Sequence, residues 1–184
     1  KETISIIIPV YNGGKTIAGL VDSLVASLSV SFDFEIILIN DCSKDNSEAV
    51  CISIFEKHKK NVKFYSLSKN VGEHNAVMAG LNKVKNDFSV IMDDDFQNPV
   101  SEVVKLIDFA ITSNNDVVYT YYDKKNHSFF RNLGSRFNDK IATILLKKPE
   151  NLYMSSFKIL NYFLVKEIIN TNSVQAKNFI QATD

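Results

Sequence analysis

Three consecutive carboxylates are the residues in this chain with the most evident chemistry. Asp93, Asp94 and Asp95 follow the apolar run 88–92 and precede Gln97 and a proline turn. Because side chains alternate along a strand, we predict that Asp93 and Asp95 share one face. Two adjacent carboxylates repel each other unless a cation lies between them, and Mg²⁺ or Mn²⁺ suits such a pair while keeping room for phosphate oxygens. The pattern predicts a metal and diphosphate site; a solvated Asp-rich turn is the alternative.

Composition limits the remaining possibilities. The chain has 184 residues, of which 45% are hydrophobic, which fits one globular domain. It has 21 acidic and 21 basic residues, so no overall positive field favours nucleic acid as a partner. Cys42 and Cys51 have neither C-x-x-C spacing nor nearby His pairs. Neither a zinc site nor a disulfide scaffold is indicated, and a reducing compartment fits best.

The chain offers no membrane-spanning signal. No stretch approaches the roughly 20 apolar residues needed to cross a bilayer, and the first residues resemble a strand rather than a cleavable signal. The sequence starts at Lys1 and stops in mid-pattern at Asp184, which is consistent with a fragment of a longer protein.

Apolar periodicity predicts alternating strands and helices. Strands are expected at 4–8, 34–39, 62–67, 88–92 and 117–121, and helices at 17–28, 47–57, 73–84 and 99–111. Repeated strand and helix units indicate an α/β fold with a mostly parallel central sheet and helices on both faces. After residue 122 a polar stretch leads to a predicted helix that contains Phe137 and Ile141.

Polar clusters follow each predicted strand, where open α/β sheets bind ligands. Tyr11 could lie beside a nucleobase, and Asp41 could accept a hydrogen bond from a base edge. Both could also belong to ordinary turns. Gly72 suits a turn, and the small residue Gly80 would let its helix pack close to the sheet. His74 more often makes an ordinary hydrogen bond than a catalytic contact.

Four of these segments together resemble a known family. Each segment follows a predicted strand, and in chain order they read P-V-Y-N, N-D-C-S-K-D, N-x-G-x-x-x-A-x-x-x-G and D-D-D-F-Q-N-P. Together they resemble the family-two glycosyltransferases of the GT-A fold over about residues 4–122. The resemblance implies nucleotide contacts, a Mg²⁺ or Mn²⁺ bridged to a sugar-nucleotide diphosphate, and a variable middle position at Asp94. The implied nucleotide-binding residues are Pro9, Tyr11, Asp41 and Asp93, and the implied metal ligands are Asp93, Asp95 and Gln97.

The chain also departs from the family pattern. Asn40 and Cys42 replace residues of the usual D-D-G-S turn, which puts the turn's geometry in doubt. Gly13 stands where relatives that glycosylate lipid phosphates often carry an acidic residue.

The chain's two arginines narrow the resemblance to one branch. Arg131 and Arg136 lie in F-F-R-x-L-G-S-R-F, and arginine suits multidentate binding of phosphate. Two chance surface arginines are the alternative. The segment resembles the polyprenyl-phosphate branch of the family, which implies acceptor-phosphate contacts from Arg131 and Arg136. Lys158 would replace an arginine of that branch's later motif, whose Asp and Gly are missing here.

The resemblance therefore implies a metal-dependent inverting glycosyltransferase at the inner face of the cell membrane. It would transfer a sugar from a nucleotide-diphospho-sugar to a lipid phosphate, with Asp93, Asp95 and Arg131 as catalytic residues. Residues 1–122 would hold the nucleotide-sugar and metal half of a single 1–184 domain, and 123–184 the acceptor side.

Two alternatives remain open, together with the identity of the sugar and the nucleotide and the oligomeric state. A hydroxyl acceptor would need a general base, for which the T-E-D-like segment 182–184 is the candidate. The second alternative is a non-catalytic nucleotide-binding module. A phosphohydrolase with an Asp nucleophile is disfavoured, because phosphohydrolases of that type carry D-x-D on the first strand of the domain, whereas Asp93 follows the fourth predicted strand. A Rossmann dehydrogenase is excluded by the lack of G-x-G-x-x-G after strand one.

Overall fold

The computed structural model describes residues 2–113, 115–120, 156–172 and 180–181. In these ranges strands and helices alternate along most of the chain, as the periodicity predicts. The strands are β1 (Thr3–Val10), β2 (Asp33–Asn40), β3 (Val62–Leu67), β4 (Phe88–Ile91), β5 (Val117–Tyr119), β6 (Lys158–Asn161) and β7 (Ile180–Gln181). The helices are α1 (Ile17–Leu28), α2 (Ser47–Lys57), α3 (Glu73–Leu81), α4 (Val100–Ser113) and α5 (Tyr162–Asn172).

The described strands form one mixed sheet in the order β5-β6-β4-β1-β2-β3-β7. β1 pairs in parallel with β2 and β4, and β2 pairs in parallel with β3. β6 runs antiparallel between β4 and β5, and β7 runs antiparallel beside β3. Five of these strands therefore point the same way, which confirms the mostly parallel α/β sheet. The sequence pattern did not predict β6, α5 or β7.

Helices cover both faces of the sheet, as expected. Ile4, Ile6 and Ile8 of β1 pack with α1, α2 and α4 on one face. Ile7 packs with α3 and α5 on the other face. Because neighbouring side chains of a strand point to opposite faces, the β-branched run of β1 supplies two cores at once.

Helix α3 packs unusually close to the sheet. A Cβ atom added at Gly80 would lie 2.5 Å from Cγ2 of Ile7, so only glycine fits this position without a shift. The role expected for Gly80 is therefore confirmed. α3 ends at Leu81 rather than at Val84, because the N–H groups of Lys83 and Val84 bond carbonyls three residues earlier and tighten the chain.

The rest of the chain adds two points. The predicted helix around Phe137 and Ile141 lies outside the described residues, and the division at residue 122 stays a prediction. In the part of the chain that the structure describes, no helix has both the length and the apolar character to cross a bilayer.

Candidate active site at the carboxyl edge of the sheet

Left-handed backbone conformations follow all four parallel-paired strands at one edge of the sheet. The φ angles are 57° at Asn12, 54° at Cys42, 85° at Gly72 and 61° at Phe96. For residues other than glycine this conformation costs on the order of 1–3 kcal/mol and clusters at functional sites. Cys42 adopts the conformation that a glycine would take without strain, so the N-D-C-S turn keeps a left-handed residue despite its departure from D-D-G-S.

The loops after β1 and β2 are bonded to each other. Oδ1 of Asn12 accepts the backbone N–H of Lys44 at 2.8 Å, and the Asn12 N–H donates to Oγ of Ser43 at 3.1 Å. Tyr11, the residue before Asn12, is 45% exposed, whereas Pro9 is buried in β1. The arrangement leaves the Tyr11 ring accessible to a ligand, while Pro9 can contribute only as part of the strand.

Asp41 lies between the loops after β2 and β3 and is only 2% exposed. Its Oδ1 accepts the N–H of Val71 at 2.7 Å, and its Oδ2 accepts the N–H of Gly72 at 2.9 Å. Burial raises the pKa of Asp41, and the two backbone bonds oppose that rise. Asp41 thus fixes the turn that leads into α3. Its contact with a nucleobase stays a prediction.

Asp93 points to the α3 side of the sheet and contacts the segment just before β6. Oγ of Ser156 donates a hydrogen bond to Oδ2 of Asp93 at 2.6 Å. Burial raises the pKa of Asp93, and the Asp95 charge adds to the rise. The bond from Ser156 and the positive charge of Lys158 lower it. The structure therefore holds this carboxylate in a partly desolvated position between a hydroxyl and a cation.

Asp94 points the other way, towards the turn after β1. Burial raises the pKa of Asp94 to about 6; the charges of Asp95 and Asp93 add to the rise, and a bond from the Tyr11 backbone opposes it. Its Oδ2 is buried and has no hydrogen-bond partner among the described residues. A Cβ atom at Gly13 would lie 2.0 Å from this oxygen, so the Asp94 carboxylate fills the space beside Gly13.

The alternation expected for the carboxylates continues past the end of β4, which stops at Ile91 rather than at Met92. Ile91 belongs to the core on the α3 side and Met92 to the core on the α1 side. Asp93 and Asp94 continue this alternation by their contacts. Asp95 is exposed, and its Oδ1 accepts the backbone N–H of Gln97 at 3.1 Å.

Lys158 is a buried cation beside these acids. It is 2% exposed, and burial lowers its pKa to about 8, while the charges of Glu73 and Asp93 oppose the fall. Its Nζ lies 5.7 Å from the ring centre of Tyr119. Desolvation raises the pKa of Glu73, at the start of α3, and the Asp93 charge adds to this rise. The predicted contact of Lys158 with an acceptor phosphate stays a prediction.

The residues present fit a hard divalent cation. The candidate ligands Asp93, Asp95 and Gln97 all offer oxygen donors at the end of β4, the donor type that Mg²⁺ and Mn²⁺ prefer. The described residues contain no group of three or more His, Cys, Asp or Glu that could hold a metal by themselves. A cation that shares its coordination with substrate phosphates needs only one or two carboxylates. The site suits that shared arrangement.

Some site predictions lie outside the described residues. Arg131, Arg136 and the segment 182–184 are among them. Sequence reasoning also missed two neighbours of Asp93, namely Ser156 and Glu73. The alternation of apolar Phe157 and Ile159 is a strand signal, but four residues are too few to reveal an antiparallel return beside β4.

The fold and site define an α/β protein with an acidic, partly solvated site where polar loops leave a mostly parallel sheet. Residues 5–169 match the family described as glycosyl transferase family 2, and the chain belongs to this family. The recognition from sequence motifs is thereby confirmed.

Similar proteins refine this placement. The chain is 35% identical over 170 residues to an undecaprenyl-phosphate 4-deoxy-4-formamido-L-arabinose transferase of Serratia proteamaculans, covering 92% of this chain and 52% of the relative. It is 32% identical over 143 residues to the protein of that name from Photorhabdus laumondii. That match covers 77% of this chain and 44% of the relative. The chain thus spans about half the length of these curated relatives.

A solved structure supports the fold. Glucosyl-3-phosphoglycerate synthase from Mycobacterium tuberculosis, crystallised with Mn²⁺, uridine diphosphate and phosphoglyceric acid, superposes with a TM-score of 0.63 at 19% identity. The match covers 95% of this chain and 66% of the synthase. The GT-A fold expected from the motifs is therefore confirmed.

Proposed function

We propose that the protein containing this chain is a metal-dependent inverting glycosyltransferase. It transfers a sugar from a nucleotide-diphospho-sugar to a polyprenyl phosphate. The observation that carries the proposal is the run Asp93–Asp95 beside the turn after β1, where Asp94 contacts the Tyr11 backbone and lies against Gly13, in a chain of this family. The named relatives, which are undecaprenyl-phosphate sugar transferases, support the lipid acceptor.

The donor half of the site is formed by the four loops at the sheet edge. The exposed Tyr11 ring contacts the base, and Asp41 holds the turn that borders it. Asp93, Asp95 and Gln97 would hold Mg²⁺ or Mn²⁺, which offsets the charge developing on the leaving diphosphate. The buried side chain of Lys158 and the half-buried side chain of Ser156 keep Asp93 in place on the α3 side.

The acceptor half of the proposed reaction needs no general base. A phosphate monoester is already anionic at neutral pH, so its oxygen attacks the anomeric carbon directly as the bond to the diphosphate breaks. Arg131 and Arg136 would bind this phosphate, because guanidinium groups make paired hydrogen bonds to phosphate oxygens. A lipid acceptor places the reaction at a membrane surface, and we propose the inner face of the cell membrane.

A ligand screen tests the donor half of this proposal. The full-length protein should be stabilised against heat by one of the UDP-, GDP- or CDP-linked sugars only when Mn²⁺ is present, because a ligand of the native state raises its stability by mass action. Asp93→Asn should lose this stabilisation. Absence of a metal-dependent shift with every donor would overturn the proposed donor site.

A transfer assay tests the acceptor half. With the donor found in the screen, we expect the sugar to appear on undecaprenyl phosphate and not on an undecaprenol control that lacks the phosphate. Transfer to undecaprenol would contradict the phosphate nucleophile. Transfer to sugar hydroxyls alone would favour a polysaccharide or protein acceptor instead.

A further inference from the structure

Ser156 lies two residues before the return strand β6 and bonds Asp93, which lies two residues after the end of β4. β4 and β6 are antiparallel, with Ile91 paired to Lys158 and Val90 paired to Ile159. Continuing the same register by two residues pairs Asp93 with Ser156, on the sheet face where Lys158 also lies. The bond of 2.6 Å between Oγ of Ser156 and Oδ2 of Asp93 agrees with this continuation of the register beyond the two strands.

The backbone next to Ser156 is firmly held. Phe157 is 2% exposed and packs in the core on the α1 side. Its carbonyl accepts a bond from Oγ1 of Thr120 at 2.8 Å and a second from the Thr120 N–H at 3.3 Å. The position of the Ser156 hydroxyl is thus set by β5, β6 and the core together.

One fixed hydrogen bond determines how the Asp93 carboxylate is turned. An ionised carboxylate has two oxygens, and rotation about its terminal bond is otherwise broad. A short bond from a hydroxyl to Oδ2 selects one rotation and leaves Oδ1 as the oxygen for a cation. Asp95 is exposed, and among the described residues its Oδ1 accepts a local backbone N–H two residues along the chain, so Asp93 is the better fixed carboxylate.

We infer that Ser156 is a positioning residue, which orients Asp93 for the divalent cation of the donor site. This inference rests on the proposed function. Hydrogen-bond partners of metal ligands commonly contribute about 10–100-fold to metal affinity. The sequence position is informative as well, because Ser156 is 63 residues from Asp93 and reaches it only through the antiparallel return of β6.

Calorimetric titration of Mn²⁺ into the full-length protein with UDP or GDP present tests this role. Ser156→Thr and Ser156→Val have nearly the same shape and differ in the hydroxyl. We expect the Thr variant to bind Mn²⁺ like the parent, and the Val and Ala variants to bind about 10-fold more weakly or worse. Nucleotide binding in EDTA should be equal in all four proteins.

Ser89→Ala is the matched control. Ser89 is a fully buried serine of β4 whose Oγ has no partner among the described residues, so its removal should leave Mn²⁺ affinity unchanged. Equal Mn²⁺ affinity in the Thr and Val variants would overturn the inference, as would variants that lower the metal-free melting temperature without changing that affinity. If nucleotide binding by the parent protein does not depend on Mn²⁺, the proposed function and this inference are both wrong.

Discussion

At the scale of single residues, neighbouring carboxylates of one run have different surroundings. Asp93 accepts a bond from Ser156 and lies near Lys158, while Asp94 turns towards Gly13 and has a buried oxygen without a partner among the described residues. Asp95 is exposed. Three identical side chains thus have three different environments, and they should respond differently to the same substitution.

The three carboxylates can be compared as Asn variants. Asp93→Asn and Asp95→Asn should abolish metal-dependent nucleotide binding with the fold intact, because each removes an anionic ligand from the site. Asp94→Asn should retain it, since Asp94 faces the β1 turn. Calorimetry with UDP or GDP and Mn²⁺ measures the effect, and circular dichroism checks the fold. Equal losses at all three positions would refute the face assignment.

Asp41 combines two roles that different variants can separate. Asp41→Asn keeps one oxygen acceptor but cannot accept both N–H groups of Val71 and Gly72, so we expect it to lower the free energy of unfolding by about 1–3 kcal/mol. Asp41→Ala should also weaken nucleoside diphosphate binding in EDTA by about 1.5–3 kcal/mol. Urea unfolding and calorimetry give the two numbers, with the exposed Asp108→Asn as control. Unchanged nucleotide affinity would leave Asp41 as a turn residue only.

At the scale of elements, the position of the site depends on how closely the helices pack on the sheet. α3 lies against β1 at Gly80, and its first residue, Glu73, is near Asp93 and Lys158. α1 and α2 cover the opposite face and are joined at their exposed side by Asp22, which bonds Lys57 and His58. The close packing of α3 and the α1–α2 contact can be tested separately.

Gly80→Ala tests the close packing of α3. Alanine ordinarily stabilises a helix relative to glycine by up to about 1 kcal/mol. Here its Cβ would meet Cγ2 of Ile7 at 2.5 Å, so we expect a net loss of about 1–3 kcal/mol in the free energy of unfolding. Gly19→Ala, at an exposed position of α1, is the control, since its Cβ meets the Phe96 ring tip at 3.4 Å. Equal stability of the two variants in urea would show that α3 has room for a Cβ at Gly80.

Asp22 should give a small acid dependence of stability. Hydrogen bonds from Lys57 and then His58 lower the pKa of Asp22 below 3.8. A lowered folded-state pKa stabilises the protein above the unfolded-state pKa, and this contribution disappears as the pH falls through the folded-state value. Because the Asp22 side chain is 45% exposed, solvent screening limits the contribution to about 1 kcal/mol or less.

Asp22→Asn measures that contribution. The difference in unfolding free energy between the parent and Asp22→Asn should be present at pH 7, fall with added salt and shrink as the pH falls below 3.8. Asp108→Asn, a change at another exposed carboxylate, is the control for the substitution itself. A difference that stays constant as the pH falls would mean that Asp22 acts through packing rather than charge.

At the scale of the whole molecule, the site is assembled from distant parts of the chain. Loops after β1, β2, β3 and β4 meet at one edge, and β6 brings Ser156 and Lys158 to the same place. In the proposed function, the described residues would supply the donor side of this arrangement. The acceptor side is assigned to Arg131 by resemblance alone, so it must be tested on the full-length protein.

Arg131→Ala should separate acceptor from donor function. Transfer to undecaprenyl phosphate should collapse, while affinity for the nucleotide-sugar with Mn²⁺ stays near that of the parent. Arg131→Lys should also be costly, because lysine lacks the planar fork that makes two parallel N–H contacts with phosphate. Transfer assays and calorimetry on the same preparations decide the matter. Loss of donor binding would instead place Arg131 at the diphosphate.

The sequence by itself determined the alternation of β1 to β5 with four helices, because β-branched runs and helical spacing are local signals. It also determined the family, since four motifs follow four strands in order. The close packing of α3 at Gly80 was predictable as well, because a small residue within a helical segment is also a local signal.

Only the tertiary structure decided which residues surround each carboxylate. β6 pairs with β4 across more than sixty residues, and no local pattern specifies that register. Three long-range contacts illustrate this: Asp94 lies beside Gly13, Asp41 accepts the N–H groups of Val71 and Gly72, and Ser156 donates to Asp93. Desolvation and hydrogen bonding depend on such contacts, so the different environments of these carboxylates could not be read from residue type and spacing.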